Sequence, residues 1–139
     1  MTDKLLLEIV TPERKVVSEE VDIVVAPGEM GEFGALVRHV PFLTKLKVGE
    51  LRFKKDGVER YIAIMGGYAE VLPDKVTILS PAAEEATDID IMRARAAKER
   101  AERRLREAKD RLEFARAQAA LQRALARLKV AERGMGRSK

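Results

Sequence analysis

Residues 75–100 read KVTILSPAAEEATDIDIMRARAAKER, and the period of the chain changes inside this stretch. Residues 75–79 are a short β-branched run that stops at Ser80-Pro81. Beyond Pro81 there is no Gly or Pro until Gly134, and Ala, Arg, Glu, Lys and Leu dominate. All five are good helix formers. A strand-rich part, residues 1–86, therefore gives way to a helical part, residues 87–139.

Working back from this boundary, short strands recur. Residues 4–10 (KLLLEIV) are apolar up to Thr11-Pro12, and residues 21–26 (VDIVVA) are β-branched and end at Pro27-Gly28. Residues 42–48 (FLTKLKV) alternate in the manner of a half-buried strand. Residues 50–54 and 58–65 flank Asp56-Gly57, a dipeptide suited to the positive φ angles of a tight hairpin turn. Residues 68–72 and 75–79 flank Pro73-Asp74, a second turn signal, and Gly66-Gly67 reads as a bulge or bend between two strands. Many short, regularly punctuated strands indicate a β-sandwich or barrel. The fold class expected is α+β, mostly β: an N-terminal β-sandwich followed by a two-helix hairpin.

Working forward, Thr87 or Asp88 is placed to cap a first helix that continues to about Ala108, with Ile89, Met92, Ala96 and Leu105 as its apolar positions. Lys109-Asp110-Arg111 is the expected break, although no Gly marks it. A second helix runs to about Glu132 and carries Phe114, Ala117, Leu121, Ala124, Leu125, Leu128 and Ala131 on one stripe. The tail from Gly134 is expected to fray. An alanine seam buries little apolar area, so the two helices should be weakly held. One continuous helix is the competing conformation.

Composition removes several kinds of function. There is no cysteine and one histidine, which excludes disulfides, thiol catalysis and multi-His metal sites. No apolar run approaches the roughly 18 residues of a membrane span. Met1-Thr2-Asp3-Lys4 lacks a signal-peptide pattern, so a cytoplasmic chain is expected, reaching a membrane only through partners. Charge is split: residues 1–87 hold 11 basic and 15 acidic side chains, whereas residues 88–139 hold 16 and 8. The basic part should seek something acidic.

No catalytic residues and no phosphate-binding loop are visible. Ser18, Ser80 and Ser138 have no base partner other than His39, and His39 reads as structural or interfacial. Residues 29–34 read as a surface turn. The helical arginines are more informative. Asp90, Arg93, Ala97 and Arg100 share one helix face, and Arg123 and Arg127 share a face of the next helix. An antiparallel hairpin would gather these four guanidiniums around one space, where a polyphosphate would relieve their repulsion. Asp90 and Glu84 would then accept from an adenine amine or ribose hydroxyl. The plainer alternative is a solvated charged face laced with ion pairs such as Glu99 with Arg103 and Glu102 with Arg106.

Taken in order, several segments resemble the epsilon subunit of bacterial F-type rotary ATP synthases. They are Ile9-Val10-Thr11-Pro12; Gly31-Glu32-Phe33-Gly34 followed by His39-Val40-Pro41-Phe42-Leu43-Thr44; Tyr61-Ile62-Ala63 leading to Gly66-Gly67-Tyr68; residues 70–79 (EVLPDKVTIL); and residues 96–105 (AAKERAERRL). The resemblance covers nearly the whole chain. It departs at Val37-Arg38, where the family has Pro-Gly, so a residue tolerant of unusual φ is replaced by a charged one.

The resemblance implies a non-catalytic subunit of the rotor stalk, coupling ion-driven rotation of the c-subunit ring to ATP synthesis. It implies a sandwich docked on the gamma subunit and the c ring, with Glu32 and His39 in the facing loops. It implies helices that open and suppress ATP hydrolysis by reaching the alpha and beta subunits, at the cytoplasmic face of a bacterial membrane. Ile89-Asp90-Ile91-Met92-Arg93-Ala94 resembles the motif of members that bind ATP in the hairpin. The residues implied are Glu84, Asp90, Arg93, Arg100, Arg123 and Arg127, with ATP as a regulatory ligand and no required cofactor or metal. The reading set against this is a basic nucleic-acid-binding module. Its support is thin, since the one helical aromatic, Phe114, is assigned to the apolar stripe and not to base stacking.

Overall fold

Alternation of Leu5, Leu7 and Ile9 with Leu6, Glu8 and Val10 builds a strand with one apolar face. In the computed structural model, which describes residues 3–137, β1 (Leu5–Val10) buries the first set completely. The strands that follow are β2 (Lys15–Val21), β3 (Ile23–Gly28), β4 (Gly31–Ala35), β5 (Phe42–Lys55), β6 (Val58–Val71), β7 (Lys75–Leu79) and β8 (Ala83–Glu85). They form an eight-stranded sheet in the order β2-β1-β7-β6-β5-β3-β4, with β8 paired to β6. β1 and β7 pair in parallel and the other ladders are antiparallel.

The sheet folds onto itself because β6 changes neighbours along its length. Residues 68–71 pair with β7, whereas residues 62–64 pair with β8. Gly66 and Gly67 lie at this change, at φ +84° and +113°, and a Cβ on Gly67 would stand 1.9 Å from the Leu79 carbonyl oxygen. The two glycines therefore bend a single strand; the register of β5 on β6 is unshifted across them, so there is no bulge. The sequence expectation of separate strands at 42–48 and 50–54, and at 58–65 and 68–72, is corrected accordingly: each pair is one long strand. Asp56 and Gly57 form the expected tight turn, both at positive φ. Inside the sandwich, Phe53, Leu51, Ile62, Ile64 and Ile78 join the β1 residues in one fully enclosed core.

The helical part begins later than the sequence suggests. Residues Ala86–Asp88 form a 3-10 turn, and Ile89 stays extended at φ −77° and ψ 126°. That conformation inserts Ile89 into a second apolar cluster, with Tyr61, Ala63, Met65, Val130 and Ala131, on the outer face of the sandwich. Capping consequently falls to Asp90, whose Oδ1 accepts from the Arg93 backbone N–H at 3.0 Å, and not to Thr87 or Asp88.

α1 (Ile91–Glu107) and α2 (Arg111–Arg137) are joined through Ala108, Lys109 and Asp110. The seam is made of alanine: Ala94 and Ala101 on α1, Ala117 and Ala124 on α2, all buried. Met92 and Ala96 face outward on α1, and Phe114 and Leu125 are exposed on α2, so the expected stripes are offset from the observed ones. α2 continues past Gly134 to Arg137, and Ser138 and Lys139, the rest of the tail expected to fray, lie outside the described residues. The missing side chain of Gly134 lets the helix meet Ala86, where an added Cβ would approach the Ala86 Cβ to 2.5 Å.

Candidate functional site

Asp90 fixes the start of α1 and with it the direction of the arginines that follow. Arg93, Ala97, Arg100 and Arg104 lie three, seven, ten and fourteen residues beyond it, on one face. Because the helices touch through alanine, their backbones lie close and the longer arginine side chains stand at the rim of the groove between them. α2 contributes Ala120, Arg123, Ala124 and Arg127. The sandwich closes the third side with Thr11, Glu13, Arg14 and Val16 from the turn between β1 and β2, and with residues 81–84 leading into β8. The result is an open cavity of about 800 Å³. Small-molecule sites span roughly 300–1,000 Å³.

Glu84, Asp90, Arg93, Arg100, Arg123 and Arg127, which lie far apart in sequence, all line this cavity. So do Arg14 and Arg104, giving six arginines against the four carboxylates of Glu13, Glu84, Asp88 and Asp90. Arg127 donates from Nε to Glu84 Oε1 at 2.5 Å. Among the described residues the other five guanidiniums have no ion-pair partner, and the second oxygen of Asp90 accepts no hydrogen bond. The intrahelical pairs Glu99 with Arg103 and Glu102 with Arg106 do not form. Among the described residues, the two ion pairs made by the hairpin reach the sandwich instead: Arg127 with Glu84, and Arg133 with Glu50 at 3.5 Å. The arrangement suits a ligand with a polyanionic end and a hydrogen-bonding polar end.

Glu32 and His39 lie elsewhere. Glu32 is in β4, not in a loop, and is held by Arg52 through two bonds of 3.0 and 3.3 Å. Hydrogen bonding from Arg52 holds its carboxyl below the usual range, with further help from the charges of Lys129 and Arg133 on α2. His39 is half-buried, its ring 5.3 Å from that of Phe42, which in turn meets Phe33 at 5.0 Å. Met30, Leu36, Val40 and Leu43 are exposed in the same segments, a concentration of apolar side chains of the kind that interaction surfaces carry.

Sequence reasoning missed two cavity arginines. Arg104 continues the face of Arg93, Ala97 and Arg100 by one more turn, so its signal was present. Arg14 comes from the sandwich and carried none.

The chain matches two family descriptions in succession. Residues 4–86 match "ATP synthase, Delta/Epsilon chain, beta-sandwich domain", and residues 87–132 match "ATP synthase, Delta/Epsilon chain, long alpha-helix domain". It is 73% identical over 133 residues to the ATP synthase epsilon chain of Syntrophobacter fumaroxidans, covering 96% of this chain and 99% of that one. It is 55% identical over 130 residues to the ATP synthase epsilon chain of Nitratidesulfovibrio vulgaris, covering 94% and 97%. Its fold is similar to a chain in the cryo-EM structure of Euglena gracilis mitochondrial ATP synthase, OSCP/F1/c-ring in rotational state 1. There the TM-score is 0.79 at 21% identity, covering 97% of this chain and 83% of the other. Among the described residues no helix is long and apolar enough to cross a membrane, which says nothing of strands.

Proposed function

This chain belongs to the ATP synthase epsilon chain family, and from that membership we propose that it couples ring rotation to ATP synthesis and restrains ATP hydrolysis through its hairpin. It is the epsilon subunit of the ATP synthase central stalk, a subunit of the complex and not itself catalytic. The exposed apolar segments around Met30, Val40 and Leu43, with Glu32 and His39, dock on the gamma subunit and the c ring. The hairpin, docked here on the sandwich, opens to reach the alpha and beta subunits. The complex holds the chain peripherally at the cytoplasmic face of a bacterial membrane.

The observation that carries the regulatory reading is the convergence of Glu84, Asp90, Arg93, Arg100, Arg123 and Arg127 on one cavity at the hinge side of the hairpin. ATP bound there braces the folded hairpin, because a ligand that binds one conformation shifts the population toward it. Two measurements test this. Truncation after Ala86 in the assembled complex should raise hydrolysis and abolish its ATP dependence; unchanged hydrolysis removes the brake. In the isolated chain, Arg93→Ala and Arg123→Ala should each weaken ATP binding by about 1.5–3 kcal/mol, the range for a charged hydrogen bond. Absence of binding at millimolar ATP removes the nucleotide.

A further inference from the structure

We infer that Arg14, on the turn between β1 and β2, is a further anion-binding residue of this cavity, so that a bound polyphosphate is gripped by the sandwich as well as by both helices. The inference rests on the nucleotide reading above and adds to it a phosphate contact from the sandwich and a consequence for docking.

Arg14 is the only cation that the sandwich contributes to the cavity among the described residues. Its backbone is fixed. Thr11 N–H donates to the Arg14 carbonyl at 2.9 Å, Thr11 Oγ1 donates to the same oxygen at 3.1 Å, and Arg14 N–H donates to Thr11 Oγ1 at 3.3 Å. The base of the turn is tied to the segment entering β8 by Ser80 N–H donating to the Val10 carbonyl at 3.0 Å. The neighbouring cation, Lys15, is engaged with Glu8 at 2.7 Å on the sheet. Arg14 has no ion-pair partner among the described residues, and its side chain lines the cavity with Arg93, Arg100, Arg104 and Arg123. Like charges gathered around one space repel, and an anion placed among them is held by charge-assisted hydrogen bonds from each.

The location of Arg14 gives it an effect that the helical arginines lack. Without Arg14, the phosphates would be held only by α1 and α2, and the ligand would meet the sandwich through Glu84, a carboxylate that repels them. A ligand also bound by Arg14 ties the hairpin to the sandwich, so occupancy stabilises the docked state by mass action.

The test uses the full chain, titrated with ATP, AMP and inorganic tripolyphosphate. The variants are Arg14→Gln and Arg106→Gln; Arg106 is exposed on α1, is not part of the cavity, and removes the same charge. Arg14→Gln should weaken ATP and tripolyphosphate about tenfold and AMP much less, while Arg106→Gln binds like the parent. Hydrogen exchange should show ATP protecting the end of α2 in the parent but not in Arg14→Gln, with unfolding midpoints confirming that both variants fold. Equal weakening by both variants would mean a diffuse field and overturns the inference. Parent-like binding by Arg14→Gln beside weak binding by Arg93→Ala and Arg123→Ala also overturns it, but leaves the proposed nucleotide role intact. Arg14-dependent tripolyphosphate binding with no ATP binding supports the inference and sinks the nucleotide. No binding of any probe overturns both.

Discussion

Arg133 lays its guanidinium over the ring of Tyr61, 4.9 Å from the centroid, while its Nη1 stands 3.5 Å from Glu50 Oε2. Glu50 is buried in β5, and its Oε1 has no hydrogen-bond partner. Among the described residues, the only other cation paired with this carboxylate is Arg52, at 3.9 Å and already bound to Glu32. Arg133 thus supplies a cation–π contact and a second, nearer counter-charge beside Arg52. Its side chain is 43% exposed, which reduces the value of the pair. Arg133→Ala should weaken docking of α2 by about 1–2 kcal/mol. Hydrogen exchange along residues 124–133, measured without ligand, checks this; unchanged protection would place the docking energy elsewhere.

Gly134 offers a test in which helix propensity and docking oppose each other. Alanine in a helix interior is favoured over glycine by about 1 kcal/mol. Here the new Cβ would meet Ala86 Cβ at 2.5 Å, and neither group has a flexible end that can yield. Gly134→Ala should therefore raise helicity of the isolated α2 peptide while lowering protection of α2 in the whole chain. A rise in both would show that Ala86 accommodates the added methyl.

Arg38 occupies φ +67°, the left-handed region, at the third position of a turn closed by His39 N–H donating to the Leu36 carbonyl at 3.2 Å. A turn that glycine would serve without strain is thus kept here by an arginine, whose Cβ makes it costly by about 1–2 kcal/mol. Against this stands the greater backbone entropy of glycine in the unfolded chain, about 0.5–1 kcal/mol. Arg38→Gly should stabilise the sandwich by about 0.5–1 kcal/mol, read from denaturant midpoints. Destabilisation would mean that the exposed contact of Arg38 with Asp3, at 3.4 Å, matters more than the strain.

Acid sensitivity should centre on Glu8. Hydrogen bonds from Lys15 on β2 and Lys75 on β7 hold its carboxyl at about 2, below its ordinary 4.5. A carboxyl lowered on folding contributes stability that is complete above the unfolded value and lost as pH falls through the folded one. The difference in stability between the parent and Glu8→Gln should therefore be constant above about 4.5 and shrink toward about 2. A difference that does not change across this window would show that the two lysines do not act through the charge.

The class of the fold was legible because its boundaries are written in local chemistry. Asp56-Gly57 and Pro73-Asp74 form the turns their residues predict, and the run free of Gly and Pro is helical from Ile91 onward, apart from the link at residues 108–110. The strands β2, β4 and β8 were not read. β2 carries two glutamates, β4 two glycines, and β8 is three residues, two of them glutamates, paired with β6 and tied to it by Arg60 donating to Glu85, so none shows an apolar period. The helix seam was misplaced for a related reason. Alanine is spread around both helices, so hydrophobicity cannot mark the buried set; what selects Ala94, Ala101, Ala117 and Ala124 is the close approach of the facing backbones. Arg93, Arg100, Arg123 and Arg127 on the helices were found through spacing and resemblance, and Arg104, one turn further along the same face, was overlooked. Arg14 was not found, because only the folded chain carries the turn between β1 and β2 to the hairpin.

β5 and β6 each run 14 residues and keep one register from Phe42 opposite Val71 to Lys55 opposite Val58. At about 3.3 Å per residue, the ribbon is about 45 Å in contour. It runs from the loop that bears His39 to the turn at Asp56, whose N–H is held by Asp22 Oδ2 at 3.1 Å. Sliding one layer over the other would require this ladder to shear as a whole. The one point where it could flex, Gly66-Gly67, is pressed against the backbone at Leu79. Mechanically the sandwich is a stiff beam, and a displacement applied at its apolar end should reach the opposite end with little lost to internal compliance.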